Sequence, residues 1–578
     1  MALNKIAEKI YDTDLLVIGG GTGGCPLAAK AAEKGLRVLL VDKSNTVRSG
    51  NVGHGTDSYG IMALGKMTTL QALRIFRGTV ESPNHMFGRF GPGRWTDENV
   101  DYVLFKKGMW AIEELEKQGV PMRWYDGEYY WTPHLLAPGI KAGLRVHWQN
   151  VKEIMTNTCL KRGVNILNRV MVVDLLTNNG KVVGATAVDT RTGEFILIRA
   201  KAVALAAGFL CRTFNAETPM TWKYKFRYHY CPASISGDGF AMAYRAGANL
   251  INMDHNTHGF RLRDDCTLSV GNLPNNDGCP GKAFTWRGEE IGGGEINSYY
   301  SYDKAEHEGV APFYHSLTHL PDDFQKRLEL NYYDEWMAAL KHAQDRKFNP
   351  RTHWYESGLK KPLQFMQLHG MVVDEHFKSP DVKGLYAVGD NAAGVGGAYG
   401  ACISGLTIGD EVSDYINSTD GFDVNEDQAE SQKQIALAPL NVKENGAEWA
   451  DPMDMECAIR FICERYVGLM KSEGMMLEGV RRLNSLRRDF RAGAKNPHYL
   501  MRALEVRNIM DMAEIHIIAS LNRKETRQQF IRADYPNRDP EWDLKCTYQR
   551  LENGKPLLEL VEVPALKKEY IDAEGGNW

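Results

Sequence analysis

A glycine-rich turn near the N-terminus has the spacing of a dinucleotide-binding loop. Gly19, Gly21 and Gly24 satisfy the pattern GxGxxG between an apolar run and a helical pattern. In this pattern the first glycine permits a tight turn, the second lets the backbone reach a pyrophosphate, and the third lets helix and strand pack closely. Asp42 follows 18 residues after Gly24, where a carboxylate can accept hydrogen bonds from ribose hydroxyls. These residues predict a bound dinucleotide rather than a turn without a ligand.

Two further segments decide which dinucleotide is expected. Gly389 and Asp390 follow the run 384–388 and precede a helical pattern, which suits the ribityl chain and second phosphate of FAD. The run 202–208, which contains Ala207, is expected to return the chain to the same site. Three separated segments that converge on one dinucleotide favour FAD, because an NAD site needs only the first segment.

The elements that must position these residues indicate an α/β fold. An apolar run at 14–18, a helical pattern at 26–34 and a second run at 37–42 form a strand–helix–strand unit around the glycines. Further along, the patterns predict helices at 100–120 and 147–162, followed by an antiparallel meander at 164–207 whose final strand is 202–207. A strand pair is expected at 371–388 and an exposed excursion at 418–446. A helical bundle is expected over 451–522.

Composition and charge limit the class of protein. A chain of 578 residues with 43% hydrophobic and 25% charged residues can form two or more domains with large cores, and it is not a disordered or fibrous protein. The net charge of −4 lacks the basic excess of nucleic-acid-binding proteins, so no nucleic-acid partner is expected. No apolar run reaches the roughly 18 residues of a membrane span, so we expect no direct membrane insertion.

The ten cysteines form no CxxC motif and do not cluster with histidine at metal-ligand spacing. We interpret them as buried thiols in a reducing compartment. The chain alone is therefore expected to ligate neither a metal ion nor an iron–sulfur cluster. The N-terminal residues show no export signal, which predicts a cytoplasmic location.

Several motifs carry a resemblance to a known superfamily. They are the glycine turn with VDKS (41–44), SGDGFAMAYRAGANLINMD (236–254), LHGMVVD (368–374), GLYAVGDNAAG (384–394) and RKETRQQFIRADYP (523–536). Together they resemble the fumarate reductase/succinate dehydrogenase flavoprotein superfamily and, within it, the alpha subunits of dissimilatory adenylylsulfate reductases.

The resemblance implies a fold with three parts. A Rossmann-like FAD-binding domain is expected in two pieces, 1–209 and 366–446. An α+β capping domain (210–365) is inserted between them, and a helical C-terminal domain with its tail follows (447–578).

The resemblance also implies that FAD is held non-covalently. Ser49 and Gly50 stand where succinate dehydrogenases carry a Ser-His-Thr whose histidine bonds covalently to FAD. The backbone N–H groups of Ser404 and Leu406 are expected at the pyrimidine edge of the flavin. The full set of cofactor-binding candidates is Gly19, Gly21, Gly24, Asp42, Lys43, Ser49, Gly50, Gly55, Ala207, Asp238, Gly389, Asp390, Ser404 and Leu406.

Four residues are candidates for the substrate side of the flavin. Arg261 matches the sulfate-binding arginine of adenylylsulfate reductases, and Tyr230 falls on the tryptophan near their flavin. His369 stands where fumarate reductases place a substrate-orienting histidine, and His54 aligns close to the isoalloxazine. A salt bridge for Arg261 and structural roles for both histidines remain open alternatives.

At the substrate side, this sequence differs from both adenylylsulfate reductases and fumarate reductases. Gln149 and Gly60 replace the pocket acid and pocket asparagine of adenylylsulfate reductases, and Tyr230 replaces the tryptophan. Gly400 stands where fumarate reductases carry an arginine that binds a substrate carboxylate. These changes favour a paralogue with the same architecture and a different substrate.

The resemblance implies an FAD-dependent oxidoreductase. We expect two-electron transfer between flavin N5 and a small anionic or conjugated molecule, with electrons exchanged with a ferredoxin-like iron–sulfur subunit. One alternative is a stand-alone flavoenzyme of the fumarate-reductase or ketosteroid-dehydrogenase kind, and another is an electron-transfer subunit without substrate turnover. The basic run at 481–491 is either a solvated face or a docking face for an acidic ferredoxin. Homo- and hetero-oligomers both remain open.

Overall fold

The structure is a computed structural model of the chain. It describes residues 3–56, 58–63, 67–80, 96–133, 141–214, 232–255, 257–262, 282–290, 308–322, 325–326, 344–345, 347, 349, 351–364, 369–441, 448–527 and 530–575.

Within these residues the elements are numbered in chain order. The strands are β1 (Lys9–Ile18), β2 (Val38–Asp42), β3 (Ser58–Ala63), β4 (Tyr130–Pro133), β5 (Lys141–Arg145), β6 (Asn165–Asn168), β7 (Val170–Asn178), β8 (Lys181–Asp189), β9 (Phe195–Leu205), β10 (Leu250–Ile251), β11 (Thr257–Leu262), β12 (Lys282–Thr285), β13 (Phe313–Ser316), β14 (Trp354–Gln364), β15 (Gly370–Met371), β16 (Leu385–Ala387), β17 (Glu448–Ala450), β18 (Met470–Lys471), β19 (Phe490–Ala492), β20 (Ile531–Arg532), β21 (Lys545–Glu552) and β22 (Lys555–Glu562). The α-helices are α1 (Gly24–Glu33), α2 (Thr69–Val80), α3 (Glu98–Lys106), α4 (Gly108–Lys117), α5 (Val151–Lys161), α6 (Asp238–Arg245), α7 (Gly397–Asn417), α8 (Glu426–Leu437), α9 (Pro452–Tyr466), α10 (Glu473–Asp489), α11 (Pro497–Asn522) and α12 (Lys568–Ala573).

The core is a sheet with strand order β6-β2-β1-β9-β8-β7, in which β16 also pairs with β9. β1 runs parallel to β2 and to β9. The last four residues of β1 and the first four of β2 are apolar and buried, a pattern typical of parallel strands covered on both faces. Helix α1 follows β1 directly and buries its apolar side chains. This arrangement confirms the predicted α/β fold.

The meander expected over 164–207 differs in two places. β6 pairs parallel with β2 rather than joining an antiparallel meander. β9 is one eleven-residue strand, where a separate final strand was expected at 202–207. Near the middle of β9, Arg199 lies opposite Asp12 of β1 and donates to its carboxylate from Nε at 2.6 Å. A charge pair thus lets the strand continue.

The described part of 418–446 is mostly exposed or half-buried, as its polarity predicted, but it also contains a helix that packs on the central sheet. Helix α8 in this stretch packs against β7 and β8. Ala429 and Ala436 are fully buried, and Gln432 accepts a hydrogen bond from Thr186 Oγ1 at 2.7 Å. Two alanines and one bonded glutamine are enough to give a polar helix a buried face.

The helical bundle expected over 451–522 is present as α9, α10 and α11, which pack on one another. Asp451 caps α9 by accepting from Met453 N–H at 2.9 Å, and Asn496 caps α11 by accepting from Tyr499 N–H at 3.1 Å. α11 is buried along most of its 26 residues. No helix among the described residues is both long and apolar enough to cross a membrane.

The region beyond the bundle contains more structure than its composition indicated. Strands β21 and β22 form a hairpin, and β21 pairs with β10, which pairs in turn with β15. In α12, Tyr570 stacks on Tyr102 of α3 with ring centroids 4.4 Å apart.

Between 210 and 365, the described strands β11 to β14 form a separate sheet in the order β11-β14-β13-β12.

Candidate cofactor site

The glycine-rich turn after β1 gives each glycine the geometry that its motif predicts. Gly19 has a φ of +108°, and a Cβ there would lie 2.3 Å from the carbonyl oxygen of Ala206. A Cβ on Gly24 would lie 1.9 Å from the carbonyl oxygen of Gly19, so α1 begins directly against the turn. A Cβ on Gly21 would meet no atom of the described residues within 4 Å. Space for a ligand therefore opens at the second glycine, where a pyrophosphate is expected.

Asp42 ends β2 beside this turn. Its Oδ2 accepts a hydrogen bond from Gly20 N–H at 2.8 Å, and its Oδ1 accepts one from Ser44 N–H at 2.7 Å. The residue is 7% exposed. Because each carboxylate oxygen can accept more than one hydrogen bond, Asp42 retains acceptor capacity for ribose hydroxyls.

The loop after β2 lies against the open glycine. Ser49 Oγ donates to the carbonyl oxygen of Gly20 at 3.0 Å. Gly50 has a φ of +79°, and a Cβ on it would lie 3.4 Å from Gly21 Cα. Ser49 and Gly50 thus both lie at the phosphate turn. Because Gly50 has no side chain, its backbone faces Gly21 directly.

The same loop contains an unused buried acceptor. Residues Asn51–His54 form a short 3-10 helix. Asn51 Oδ1 is buried and accepts no hydrogen bond from the described part of the chain, and buried polar atoms normally have a partner. Gly55 ends the loop at a φ of +100°, against Gln149. The side chain of His54 lies outside the described residues. An orphaned acceptor beside the open glycine fits a bound FAD.

The two other predicted segments meet through Asn391. Its Oδ1 accepts from Ala207 N–H and its Nδ2 donates to the carbonyl oxygen of Gly208, both at 2.7 Å. Gly389 donates its N–H to Ser404 Oγ at 2.9 Å. The segments after β1, β9 and β16 therefore converge. Sequence reasoning missed Asn391, although it stands directly after the Gly-Asp pair (Asp390) that was singled out.

Helix α7 corrects the expected flavin contacts of Ser404 and Leu406. Both are fully buried and lie well inside a helix that begins at Gly397. N–H groups that far into a helix bond to carbonyls one turn earlier, so they are not free for the flavin. The free N–H groups are those of the first turn, residues 397–400. A Cβ on Gly405 would lie 2.2 Å from Gly23 O, so α7 packs tightly on the phosphate turn.

Lys43 and Asp238 bind each other. Lys43 Nζ lies 2.7 Å from Asp238 Oδ2 and 2.8 Å from Oε1 of Glu505 in α11. The other oxygen of Asp238 accepts from Ser236 Oγ at 2.9 Å and from Asn508 Nδ2 at 2.8 Å. Both cofactor candidates therefore belong to the contact between the central sheet and the helical bundle.

These residues are part of a larger buried ion-pair network, here called the seam network: Lys43, Arg212, Asp238, Glu456 and Glu505. Arg212 donates to Glu505 and to Glu456, each at 2.6 Å. Burial raises the pKa of Glu505, but Arg212 and Lys43 outweigh it and hold that pKa far below its usual range. The carboxylate is therefore ionised throughout the physiological pH range.

A buried lysine under the phosphate turn was not predicted. Lys152 of α5 is 1% exposed. Its Nζ contacts the carbonyl oxygen of Gly20 and lies 3.5 Å from Cys25 Sγ. The Cys159 thiol and then Lys152 lower the pKa of Cys25 to about 6, against the effect of burial. Lys152 and the thiol of Cys25 thus form a buried polar pair directly beneath the turn that is expected to bind phosphates.

The substrate-side candidates are only partly described. His369 is fully buried, and its Nε2 lies 2.9 Å from the carbonyl oxygen of His255. Arg261 lies on β11 opposite Gly358 of β14. The side chain of Arg261 and all of Tyr230 lie outside the described residues. The structure therefore places His369 directly before β15 and Arg261 on β11 of the separate four-stranded sheet.

The motif 523–536 forms a second buried charged cluster. Arg523 contacts Asp254, and its Nη1 lies 2.8 Å from Glu525 Oε1; all three side chains are fully buried. Burial lowers the pKa of the nearby Lys471 to about 7. The motif therefore joins the end of the bundle to the residues that follow β10.

Comparison with known proteins agrees with this geometry. Residues 14–406 match the family described as FAD binding domain, and residues 458–569 match the family described as fumarate reductase flavoprotein C-term. The fumarate reductase flavoprotein subunit of Haemophilus influenzae is 23% identical over 97% of this chain and 96% of its own length. L-aspartate oxidase of Yersinia pestis is 23% identical over 91% of this chain and 96% of its own.

The structural likeness extends over the same length. The structure of adenylylsulfate reductase from Archaeoglobus fulgidus has a TM-score of 0.79 at 22% identity and covers 97% of this chain and 96% of its own. At this identity the likeness shows the fold. The relatives carry different activities in their names, so they leave the substrate open.

The phosphate turn, the three converging segments and the family match over most of the chain lead to one conclusion. The chain belongs to the FAD-binding flavoprotein family that includes fumarate reductases and succinate dehydrogenases, and it is an FAD-dependent oxidoreductase.

Proposed function

We propose that this chain is the catalytic flavoprotein of a two-electron oxidoreductase whose substrate is a small anionic or conjugated molecule. The observation that carries the proposal is the convergence of three segments around the open space at Gly21. FAD, when bound, supplies the hydride chemistry, and the protein orients it and the substrate. The chain holds FAD non-covalently, because Ser49 and Gly50 offer no nucleophilic side chain like the linking histidine of succinate dehydrogenases.

The residues of the chain have separable roles in this proposal. The backbone of the glycine turn and the start of α1 bind the pyrophosphate. Lys152 donates to the carbonyl oxygen of Gly20 from below and so holds the turn in place. Asp42 fixes the ribose, and the tight packing of α7 on Gly23 excludes water from that side.

On the substrate side, Arg261 anchors an anionic group, and Tyr230, His369 and His54 shape the pocket around it. An arginine suits such a group because its planar guanidinium can donate two parallel hydrogen bonds. Support for a substrate other than fumarate comes from Gly400, which is buried and would place a Cβ 3.1 Å from Val395 Cγ1. This position offers no cationic side chain for a carboxylate.

The electron partner in this proposal is a ferredoxin-like iron–sulfur subunit. Support comes from relatives that are named as flavoprotein subunits. The basic run in α10 gives no support, because its charges are largely neutralised locally. Arg481 and Arg482 pair with Glu478, and Arg488 pairs with Asp489.

The substrate proposal is tested with the FAD of the purified full chain reduced anaerobically by dithionite. The reduced protein is mixed with adenylylsulfate and, separately, with fumarate, and flavin reoxidation is followed optically. We expect slow reoxidation by both. Rapid reoxidation by adenylylsulfate would show that Gln149 and Tyr230 do not change the substrate, and rapid reoxidation by fumarate would show a carboxylate site built without the arginine at 400.

Arg261 is tested once an accepted substrate is found. Arg261→Ala should raise KM or abolish turnover while FAD stays bound, and Arg261→Lys should restore activity only in part. Arg481→Ala is a matched control that removes a surface arginine outside the site. Unchanged kinetics for Arg261→Ala would contradict its role as anchor.

A further inference from the structure

Two cysteines lie in contact with each other beneath the phosphate turn. Cys25 is the second residue of α1, and Cys159 lies in the last turn of α5. Both are fully buried. Cys159 Sγ lies 3.2 Å from the carbonyl oxygen of Cys25, and its thiol also hydrogen-bonds with Cys25 Sγ. Two thiols that are 134 positions apart in the chain therefore share one buried site.

The groups around Cys25 favour its thiolate. Lys152 Nζ lies 3.5 Å from Cys25 Sγ, and Cys25 lies in the first turn of α1, where the helix dipole is positive. The hydrogen bond with Cys159, followed by Lys152, lowers the pKa of Cys25 to about 6, although burial acts in the opposite direction. Because the thiolate is the reactive form of cysteine, Cys25 has the surroundings of a nucleophile.

Other buried cysteines of the chain have different surroundings. Burial raises the pKa of Cys402 and of Cys546 to about 12, and it also raises the pKa of Cys463. Cys402 is the most informative comparison, because its Sγ lies 3.3 Å from the carbonyl oxygen of Thr22 in the same turn. Its thiol hydrogen-bonds with Tyr59. Burial at the turn therefore does not by itself produce a reactive thiol.

We propose that Cys25 and Cys159 are a redox modification site, where hydrogen peroxide joins them in a disulfide that weakens FAD binding. The Cys25 thiolate attacks one oxygen of the peroxide, the O–O bond breaks, and hydroxide leaves while a sulfenic acid remains on Cys25. The sulfur of Cys159 then attacks the sulfenic sulfur, and its proton leaves with the hydroxyl group as water. The two sulfurs lose two electrons, which the peroxide receives.

The disulfide acts on FAD through the start of α1. A Cβ on Gly24 would lie 1.9 Å from Gly19 O, so α1 begins in close contact with the turn. The thiols donate to the carbonyl oxygens of Gly20 and Cys25, both at 3.2 Å, and disulfide sulfurs have no hydrogen to keep these bonds. Joining α1 to α5 therefore displaces the turn that binds the pyrophosphate. This effect concerns FAD binding, so it does not depend on the redox substrate proposed above.

The test is peroxide treatment of the purified, FAD-loaded full chain. The remaining thiols are then blocked with N-ethylmaleimide under denaturing conditions, and non-reduced peptides are identified by mass spectrometry. We expect a peptide in which Cys25 is linked to Cys159. FAD affinity should fall about ten-fold, a size common for coupling between two sites, and dithiothreitol should restore it. Cys25 and Cys159 both found as blocked thiols, or a linked peptide with unchanged FAD affinity, would overturn the proposal.

Two variants assign the disulfide to this pair. Cys159→Ala should give no linked peptide and should instead carry added oxygen on Cys25, because the thiol that resolves the sulfenic acid is missing. Cys402→Ala is the matched control, since it removes another fully buried thiol at the same turn. It should form the link between Cys25 and Cys159 as the wild type does. If Cys402→Ala abolishes that link, or if Cys159→Ala still loses FAD affinity reversibly with dithiothreitol, the proposal fails.

Discussion

The phosphate turn and the seam network are both buried and polar, but they are built from different groups. The turn around Gly21 uses backbone N–H groups and empty space, with Lys152 beneath it donating to the carbonyl oxygen of Gly20. The seam network uses five charged side chains held in close pairs, such as Arg212 with Glu505. The turn leaves its backbone N–H groups available to a ligand, whereas the charged side chains of the network hydrogen-bond to one another. The difference separates a region made for binding from one that fixes two domains together.

The largest effect is expected from a substitution that breaks the seam network and leaves the phosphate turn unchanged. Arg212→Ala should destabilise the protein by about 3–5 kcal/mol, because it leaves Glu505 and Glu456 buried without their shared partner. Urea unfolding of the full chain measures this change. FAD affinity should be unaffected in the fraction that remains folded. Arg481→Ala, at an exposed site, should leave unfolding unchanged; an equally small effect at Arg212 would show that the network contributes little.

The next effect comes from filling the turn. Gly24→Ala should cost roughly 1–3 kcal/mol of stability, since its Cβ would lie 1.9 Å from Gly19 O and the backbone must shift. Gly21→Ala should leave the unfolding of the FAD-free chain nearly unchanged but lower FAD affinity, because its Cβ occupies only the ligand space. Comparing the two variants by urea unfolding and FAD titration separates packing from binding. If the two variants changed folding stability equally and FAD affinity equally, the distinct roles of Gly24 and Gly21 would be contradicted.

An effect of similar size, but on FAD affinity instead of folding stability, is expected at the ribose carboxylate. Asp42→Ala should weaken FAD by roughly 1–3 kcal/mol, because the ribose hydroxyls and two backbone N–H groups lose their acceptor. FAD retained after dialysis, measured by absorbance, reports the change. Asp42→Asn keeps one acceptor oxygen and should lie between wild type and Asp42→Ala. Full FAD occupancy in both variants would exclude Asp42 from cofactor binding.

The smallest effect is a pH dependence of the seam network. The pKa of Glu505 is lower in the folded state than in the unfolded state, so its stabilising contribution is present above the unfolded pKa of about 4.3 and is lost as the pH falls. Between pH 5 and pH 4 the wild type should lose about 0.5 kcal/mol more than Glu505→Gln. Urea unfolding at both pH values measures this difference. Parallel losses in the two proteins would mean that Glu505 does not titrate differently on folding.

The same contrast explains what the sequence could predict. The phosphate turn follows from glycine spacing within one strand–helix–strand unit, so Gly19, Gly21, Gly24 and Asp42 could be placed from local pattern alone. The segments after β9 and β16 were also predicted, because each ends an apolar strand with small residues. Asn391, which joins them, forms side-chain contacts with residues 183 and 184 positions away, and no local pattern marks it.

Other surroundings depended on distant partners or on helix boundaries. The ion-pair partner of Lys43, Glu505, lies 462 positions along the chain, so no local pattern could reveal it. Ser404 and Leu406 were placed at the flavin edge by the family resemblance, which does not show that α7 begins as early as Gly397. Helix α8 was missed because only two alanines and a glutamine form its buried face.

The central claim is that this chain binds FAD non-covalently at a site made of backbone and one carboxylate. Acid precipitation of the purified full chain tests it most directly, with flavin quantified in supernatant and pellet and the supernatant nucleotide identified by chromatography. The account predicts FAD in the supernatant, stoichiometric with the chain. Flavin retained in the acid pellet would contradict the non-covalent claim, and NAD or no dinucleotide in the supernatant would contradict the assignment of the site.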